Sequence, residues 1–211
     1  MTIRLNIQAD VIDISTDTPQ PEDVFLVDTN VWLWQTYPNA TLNADPRVLR
    51  KSSLYSGYLN QALQAGAQLK YSGLTLAELA HVIEKKEYEI FKNQNRLSRL
   101  SPKAFRHNYD SERQAVAMTV QSAWAQVISL ASSADVTIDA TVTSAALQRF
   151  QTQALDGYDL FLMEAISRAG LNPLQVLTDD MDYACVPNIQ LFTGNGLVIQ
   201  EAGRQNKLIQ R

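Results

Sequence analysis

Residues 24–30 have the sequence VFLVDTN. Its first four residues are continuously apolar, which is typical of a central parallel strand that is buried on both faces. The strand gives way at Asp28, and Thr29 and Asn30 continue a run of good helix-capping residues. Outward from this stretch, apolar runs predict strands at 68–73, 174–178 and 189–194, and a period-two pattern predicts a strand within 1–14.

Apolar residues at helical spacing predict that helices connect these strands. The expected helices cover 46–65, about 75–91, a segment that begins at Ser101-Pro102, about 116–130, 143–153, and 157–169 with Gly170 as its stop. The helix at 157–169 is apolar nearly all round, so we expect it to be largely buried. Alternating helices and strands predict an α/β fold with a mostly parallel central sheet.

Composition limits the class of protein. A chain of 211 residues with 45% apolar residues can bury a globular core. Its net charge of −4 and pI near 5.2 argue against adhesion to nucleic acid by bulk charge. The single cysteine, Cys185, suits a reducing compartment, and the sequence has neither a membrane-spanning run nor a signal-peptide pattern. These features predict a cytoplasmic protein.

Four carboxylates stand where a strand ends or a helix begins: Asp28, Glu78, Asp159 and Asp180. The carboxyl ends of parallel strands meet at one edge of a sheet, so these side chains are expected to lie close together. Carboxylate oxygens are the ligands that hard divalent cations prefer. The sequence therefore predicts a metal-dependent site.

Each acid also has a purely structural interpretation. Asp28 could satisfy backbone N–H groups after its strand, and Glu78 could complete a capping box with Thr75. Asp159 could complement the dipole of its helix, and Asp180 could be a turn residue. Helix capping does not require four acids at the same end of successive strands, so the joint arrangement favours a metal site.

Four motifs resemble those of the PIN domain, a fold of metal-dependent nucleases that includes the VapC-type toxins. They are VFLVDTNVWL at 24–33, LTLAELAHVI at 74–83, YDLFLMEAISRAG at 158–170 and VLTDDMDY at 176–183. The resemblance assigns catalysis and metal binding to Asp28, Glu78, Asp159 and Asp180, and adds Asp182 as a further metal ligand. It assigns supporting positions beside the carboxylates to Thr29, Asn30 and Thr178.

The resemblance implies a PIN-like three-layer α/β/α fold and Mg²⁺ or Mn²⁺ as cofactor. It implies an endoribonuclease that hydrolyses RNA phosphodiester bonds and leaves 5′-phosphate and 3′-hydroxyl ends. It also suggests the toxin of a toxin–antitoxin pair, with an antitoxin protein as partner and a homodimer as the assembly. Asp28 is the expected bridge between metal ions.

Two regions depart from the compact toxins of this family. Residues 1–23 form an expected N-terminal extension of the PIN-like domain at 24–211, and the 81-residue interval from Glu78 to Asp159 predicts a helical insertion at about 88–142. Segment 85–113 has eight basic and four acidic side chains, a net charge of +4. Arg96, Arg99 and Arg106 could therefore bind the RNA backbone, although a charged stretch is also typical of a solvated helix face.

Other classes of function remain open at this point. The chain could be a non-catalytic RNA-binding or protein-interaction PIN module. An aspartyl-phosphate phosphatase is less favoured, because DTNVW at 28–32 lacks a second Asp two residues after the first. Trp32, Trp34 and Tyr37 could stack on bases, but core packing is the favoured interpretation. Arg204, Lys207 and Arg211 could belong to a mobile tail or a partner contact.

Overall fold

The computed structural model describes residues 3–134, 137–168 and 174–211. Six strands in these ranges form one sheet in the order β1-β6-β5-β2-β3-β4, and every pairing is parallel. The strands are β1 Asp10–Asp13, β2 Val24–Val27, β3 Gln68–Tyr71, β4 Ser132–Ser133, β5 Leu174–Leu177 and β6 Ile189–Thr193. The predicted parallel sheet is confirmed, with β2 near its centre.

Helices cover both faces of the sheet. They are α1 Thr29–Thr36, α2 Pro46–Ala65, α3 Gly73–Gln94, α4 Pro102–Asn108, α5 Asp110–Leu130, α6 Ala140–Thr152, α7 Gly157–Arg168 and α8 Gly196–Arg204. One buried cluster joins one face of the sheet to α1, α2, α3 and α5, and the other joins the opposite face to α6, α7 and α8. The fold is a three-layer α/β/α arrangement, as predicted.

Capping residues set the bounds of α2 as the sequence predicts. Asp45 accepts hydrogen bonds from the backbone N–H groups of Arg47 and Val48, and Pro46 occupies the first turn. Gly66 ends the helix with a φ of 88°, a left-handed conformation that a residue without Cβ adopts easily. Ser101 caps α4 in the same way as Asp45, by accepting from the N–H of Ala104.

Several predicted bounds are wrong. Helix α3 begins at Gly73, because Ser72 is its N-cap and forms a capping box with Thr75. The expected box between Thr75 and Glu78 is therefore absent. The N-terminal strand covers only Asp10–Asp13, and α6 begins at Ala140 because Asp139 caps it.

The helix predicted at 157–169 corresponds to α7, Gly157–Arg168. Its apolar residues Leu160, Leu162, Met163 and Ile166 are buried, as expected. The predicted stop at Gly170 lies outside the described residues.

Both predicted additions contribute a strand to the main sheet. The N-terminal region supplies β1, which pairs with β6 at one edge, and the predicted insertion supplies β4, which pairs with β3 at the other edge. The chain's final segment also packs on β1, since Leu208 forms a β-bridge with Val11. Arg211 forms ion pairs with Asp17 and Asp23, so this segment is part of the fold and not a mobile tail.

The aromatic residues that follow β2 pack inside the protein. Trp32 and Tyr37 are buried, and the ring of Trp34 lies 5.3 Å from that of Tyr55. The packing interpretation of this cluster is confirmed. Among the described residues, no helix combines the length and apolar character needed to cross a membrane.

Candidate functional site

Neighbouring strands β2 and β5 bring Asp28 and Thr178 together. Val27 and Leu177 are paired in register, and these two residues come directly after them. The Asp28 N–H donates a hydrogen bond of 3.1 Å to the carbonyl of Leu177, so the two chains stay adjacent beyond the strand ends. The Thr178 hydroxyl then donates a hydrogen bond of 2.5 Å to Oδ2 of Asp28.

Asp28 is held by three donors. Its Oδ1 accepts from the backbone N–H of Thr29 at 2.6 Å, and its Oδ2 accepts from Asn30 Nδ2 at 2.6 Å and from the Thr178 hydroxyl. The residue is 6% exposed. It caps α1, so its structural role is present, but a carboxylate has about four acceptor positions and three are used by these donors. About one acceptor position is thus not used by these donors.

Glu78 lies in the second turn of α3, and it binds α1 instead of its own helix start. The Thr29 hydroxyl donates a 2.6 Å hydrogen bond to Glu78 Oε2. Thr29 thereby connects two acids, since its backbone N–H binds Asp28 and its side chain binds Glu78. The side chain of Glu78 is only partly buried.

Asp159 lies in the first turn of α7 and is 6% exposed. The buried Tyr183 hydroxyl donates to Asp159 Oδ1. The N–H of Asp159 donates to Oδ1 of Asp156 at 3.2 Å. Asp156 therefore accepts from a backbone N–H group at the start of α7. The hydrogen bond from Tyr183 connects Asp159 to the loop between β5 and β6.

In that loop, the adjacent acids Asp179 and Asp180 have different partners. The N–H of Asp180 donates to the Thr178 hydroxyl oxygen at 2.9 Å, and Oδ1 of Asp180 accepts from the N–H of Asp182 at 2.9 Å. Asp179 instead binds α2, through Lys51 Nζ at 2.8 Å and the Tyr55 hydroxyl at 3.2 Å. Asp180 belongs to the acidic cluster, whereas Asp179 anchors the loop.

Burial and mutual repulsion govern the charge of the cluster. Burial raises the pKa of Asp28 well above its usual value, and the charges of Glu78 and Asp180 raise it further, against the hydrogen bonds from Thr178 and Thr29. The pKa of Asp159 is also raised, first by burial and then by the charge of Asp28. These carboxylates therefore lie within electrostatic reach of one another.

Two further acids of the site, Glu78 and Asp182, also have raised pKa values. Burial raises the pKa of Glu78 despite its hydrogen bond from Thr29, and the charge of Asp180 adds to the shift. The pKa of Asp182 is raised by burial and then by Asp180. Within the described ranges, no lysine or arginine forms an ion pair with Asp28, Glu78, Asp159, Asp180 or Asp182.

The donor atoms of this cluster suit a hard cation, but their positions are not those of a formed metal site. All five acids offer carboxylate oxygen, which is the chemistry that Mg²⁺ and Mn²⁺ prefer. Across the part of the chain that the structure describes, no group of three or more His, Cys, Asp or Glu side chains is arranged to hold a metal ion. The match of this cluster to Mg²⁺ or Mn²⁺ thus rests on the chemistry of its oxygen atoms and on its negative charge. Its acids form hydrogen bonds within the protein.

Sequence reasoning missed two residues of the site. Asp156 is not among the predicted site residues, yet its charge raises the pKa of Glu78, Asp159 and Asp182. The Asp-x-x-Asp spacing at 156–159 was the available signal. Tyr183 is the last residue of the motif at 176–183, but only the fold brings its hydroxyl to Asp159.

The predicted RNA-binding arginines are separate from the acidic cluster. Arg106 forms two hydrogen bonds to the carboxylate of Glu84, at 2.7 and 2.8 Å. Arg96 and Arg99 lie between α3 and α4, beyond the far end of α3. That end is about four helical turns from Glu78. Their contact with RNA stays a prediction.

No protein-family model, curated protein or solved structure matches the chain. The fold and site define an α/β protein with an acidic cluster at the carboxyl edge of a parallel sheet. Its function is therefore argued from that cluster.

Proposed function

We propose that this protein is a divalent-metal-dependent endoribonuclease that hydrolyses phosphodiester bonds in RNA. The observation that carries the proposal is the buried carboxylate of Asp28, which is linked to Glu78 through Thr29 and to Asp180 through Thr178. These acids lie at the sheet edge where α/β proteins bind ligands. Several carboxylates that raise one another's pKa are unfavourable unless a cation offsets their charge. Such an arrangement is typical of a functional site.

Asp28, Glu78, Asp159 and Asp180 would hold Mg²⁺ or Mn²⁺, with Asp182 as an additional ligand. The bound cation would supply Lewis acidity toward the phosphate and lower the pKa of water. Thr29, Asn30 and Thr178 position the acids, because each donates a hydrogen bond to a carboxylate of the cluster.

RNA as substrate is supported by the four PIN-like motifs. The same resemblance supports the narrower proposal that the protein is a toxin with an antitoxin partner and acts as a homodimer in the cytoplasm. Lys85, which lies two turns beyond Glu78 on α3, adds an exposed cation near the cluster.

A second candidate is a non-catalytic RNA-binding or protein-interaction module. The observation that favours it is the arrangement of the acids, since no three of those in the described residues are placed to hold an ion. The two candidates differ in one outcome, which is whether the purified protein cleaves RNA when a divalent cation is added.

The test is cleavage of a pool of single-stranded and structured RNAs with Mg²⁺ or Mn²⁺. We expect cleavage by the wild type and none by Asp28→Asn or in the presence of a chelator. Asp45→Asn is the matched control, because Asp45 also caps a helix but lies outside the cluster. Cleavage that survives Asp28→Asn would reject the site, and RNA binding without cleavage would favour the second candidate.

A further inference from the structure

Asn195 and Gly196 lie at the turn between β6 and α8, and Asn195 is the N-cap of α8. Its Oδ1 accepts from the N–H of Leu197 at 3.2 Å, and its Nδ2 donates to the carbonyl of Asp179 at 2.9 Å. Asn195 is 8% exposed, whereas Gly196 is exposed to solvent. One side-chain amide therefore both caps a helix and binds the loop after β5.

Side chains hold the loop after β5 through two successive carbonyls. The Tyr55 hydroxyl donates to the carbonyl of Thr178 at 2.9 Å, and Asn195 donates to that of Asp179. The next residue is Asp180, whose N–H donates to the Thr178 hydroxyl at 2.9 Å. The amide of Asn195 thus helps to set where Asp180 lies in the acidic cluster.

An asparagine that precedes a glycine can deamidate, because glycine has no Cβ to hinder attack by its own nitrogen. The nitrogen of Gly196 would bond to Cγ of Asn195 and give up its proton, while Nδ2 leaves as ammonia. Water then opens the resulting succinimide ring and leaves aspartate or isoaspartate. The reaction needs water and no enzyme, and Asn195–Gly196 is the only Asn–Gly pair in the sequence.

The folded conformation keeps the reacting atoms apart. Asn195 has a φ of −73° and a ψ of 105°, so the nitrogen of Gly196 points away from the Asn195 side chain across the Cα–C bond. The ring can close only after a large rotation about ψ, which breaks the hydrogen bonds of Asn195 to Leu197 and Asp179. Deamidation therefore requires local opening at the start of α8.

We propose that Asn195–Gly196 is a deamidation site that reacts only when the start of α8 opens, and that the reaction releases the loop after β5. Both products replace the amide donor with a carboxylate, which only accepts hydrogen bonds. The carbonyl of Asp179 then loses its donor and faces a second acceptor. Isoaspartate also lengthens the main chain at the helix cap. The inference goes beyond the proposed nuclease and does not depend on it.

The first test compares wild type with Gly196→Ala at mildly alkaline pH, in buffer alone and in urea below the unfolding midpoint. Peptide mapping by mass spectrometry measures isoaspartate at position 195. A Cβ at Gly196 would meet no neighbouring group within 4 Å, so alanine fits and hinders only the attack. We expect isoaspartate in the wild type in urea and at least about tenfold less in buffer, where opening is rarer. Gly196→Ala should form little in either.

Gly203→Ala is the matched control, because Gly203 is also exposed on α8 and has the same free space for a Cβ. It should form isoaspartate at position 195 as fast as the wild type. Equal amounts in buffer and in urea, or in wild type and Gly196→Ala, would overturn the protected site.

Hydrogen exchange tests the release of the loop. Asn195→Asp keeps an acceptor for the helix cap but loses the donor to Asp179. The N–H groups of Asp180 and Asp182, which are hydrogen-bonded within the loop, should exchange at least about tenfold faster in this variant. The deamidated wild type, after removal of urea, should show the same increase.

Asn60→Asp is the control for charge, because Asn60 is exposed on α2 and the substitution adds the same negative charge. It should leave the exchange of the loop unchanged, and thermal melting checks that each variant is folded. Wild-type exchange rates in both Asn195→Asp and the deamidated protein would overturn the release of the loop and leave the nuclease proposal standing.

Discussion

The hydroxyl of Thr178 donates a 2.5 Å hydrogen bond to Oδ2 of Asp28. The hydroxyl oxygen of Thr178 also accepts from Asn30 Nδ2 at 3.1 Å and from the N–H of Asp180 at 2.9 Å. One hydroxyl therefore sets the position of the loop after β5 relative to the end of β2. Residues that hold ligands in this way affect a metal site almost as strongly as the ligands themselves.

Thr178→Val should lower the cleavage rate by more than its loss of stability explains. It removes the hydroxyl at nearly constant volume and leaves the donors of Asn30 and Asp180 without this acceptor, at a cost of about 1–3 kcal/mol. We expect activity to fall by roughly 10–100-fold and Thr178→Ser to restore most of it. The measurements are initial rates at saturating Mn²⁺ and urea unfolding.

Thr36→Val is the control for that experiment. Thr36 is also buried, but its hydroxyl donates to the carbonyl of Trp32 within α1. The control should lose about 1 kcal/mol of stability and keep its cleavage rate. Equal losses of activity in both variants would show that Thr178 contributes only to folding.

The stability of the metal-free protein should depend on the charge of Asp28. The pKa of this group is raised in the folded state, so its contribution to stability is complete below the unfolded value near pH 4 and is lost as pH rises toward the folded value. Because an asparagine side chain does not ionise, the stability of Asp28→Asn does not fall with pH for this reason. From pH 5 to pH 8 in EDTA, the Tm of the variant should gain at least about 3 °C relative to the wild type.

Calorimetry at the two pH values measures this effect. Asp45→Asn should show no such gain, because the exposed Asp45 accepts backbone hydrogen bonds that lower its pKa. Added Mn²⁺ should raise the Tm of the wild type at pH 8 more than that of Asp28→Asn. A Tm difference between wild type and Asp28→Asn that does not change with pH would contradict the proposed repulsion.

Tyr55→Phe should loosen the loop that holds Asp180. The Tyr55 hydroxyl donates to the carbonyl of Thr178 at 2.9 Å and accepts from the N–H of Gly194 at 2.7 Å. Because these groups are largely buried, their loss should cost about 1–3 kcal/mol and reduce cleavage. Tyr71→Phe is the control, since no hydrogen bond of its hydroxyl occurs in the described residues and it should change neither property.

Arg211→Gln should destabilise the protein most at neutral pH. Arg211 binds both oxygens of Asp23 and of Asp17, whose side chains are each 2% exposed. Removal of the cation leaves buried carboxylates unpaired, at about 3 kcal/mol.

The stability difference between wild type and Arg211→Gln should depend on pH. The pKa of Asp23 is lowered in the folded state, since hydrogen bonds from Arg211 and other donors outweigh burial. Its stabilisation is complete above about pH 4 and is lost as pH falls through the lower folded value. The difference between wild type and Arg211→Gln should therefore shrink below pH 4.

Arg204→Gln is the control for this loss. Arg204 forms an exposed pair with Glu201 on α8. An exposed pair contributes little, so the substitution should cost at most about 0.5 kcal/mol. An equal cost in the two variants would show that Arg211 is also no more than a surface contact.

Charge reversal at Arg96 and Arg99 tests the RNA-binding prediction. If they contact the backbone, Arg96→Glu with Arg99→Glu should weaken RNA binding and reduce its salt dependence. Arg106→Glu is examined separately because it also breaks the pair with Glu84. Unchanged affinity and salt slope in the double variant would assign these arginines to a solvated surface.

Local patterns predicted most of the elements. The apolar run at 24–27 indicated a buried central strand, and Pro46 with Gly66 indicated both ends of α2, because strands and caps depend on neighbouring residues. Helices α1 and α8 and the short strand β4 were not predicted. Strand β4 has only two residues, which is too short for an alternating apolar pattern to indicate a strand.

Apolar runs, capping residues and acid positions are local properties, so they predict an α/β chain with acids at the ends of its strands. The partners of those acids depend on the tertiary structure. Glu78 binds Thr29, 49 residues away, instead of Thr75, and Thr178 binds Asp28 across 150 residues. Strand order and register set these contacts, and they separate Asp180 from Asp179 although the two are identical neighbours in the chain.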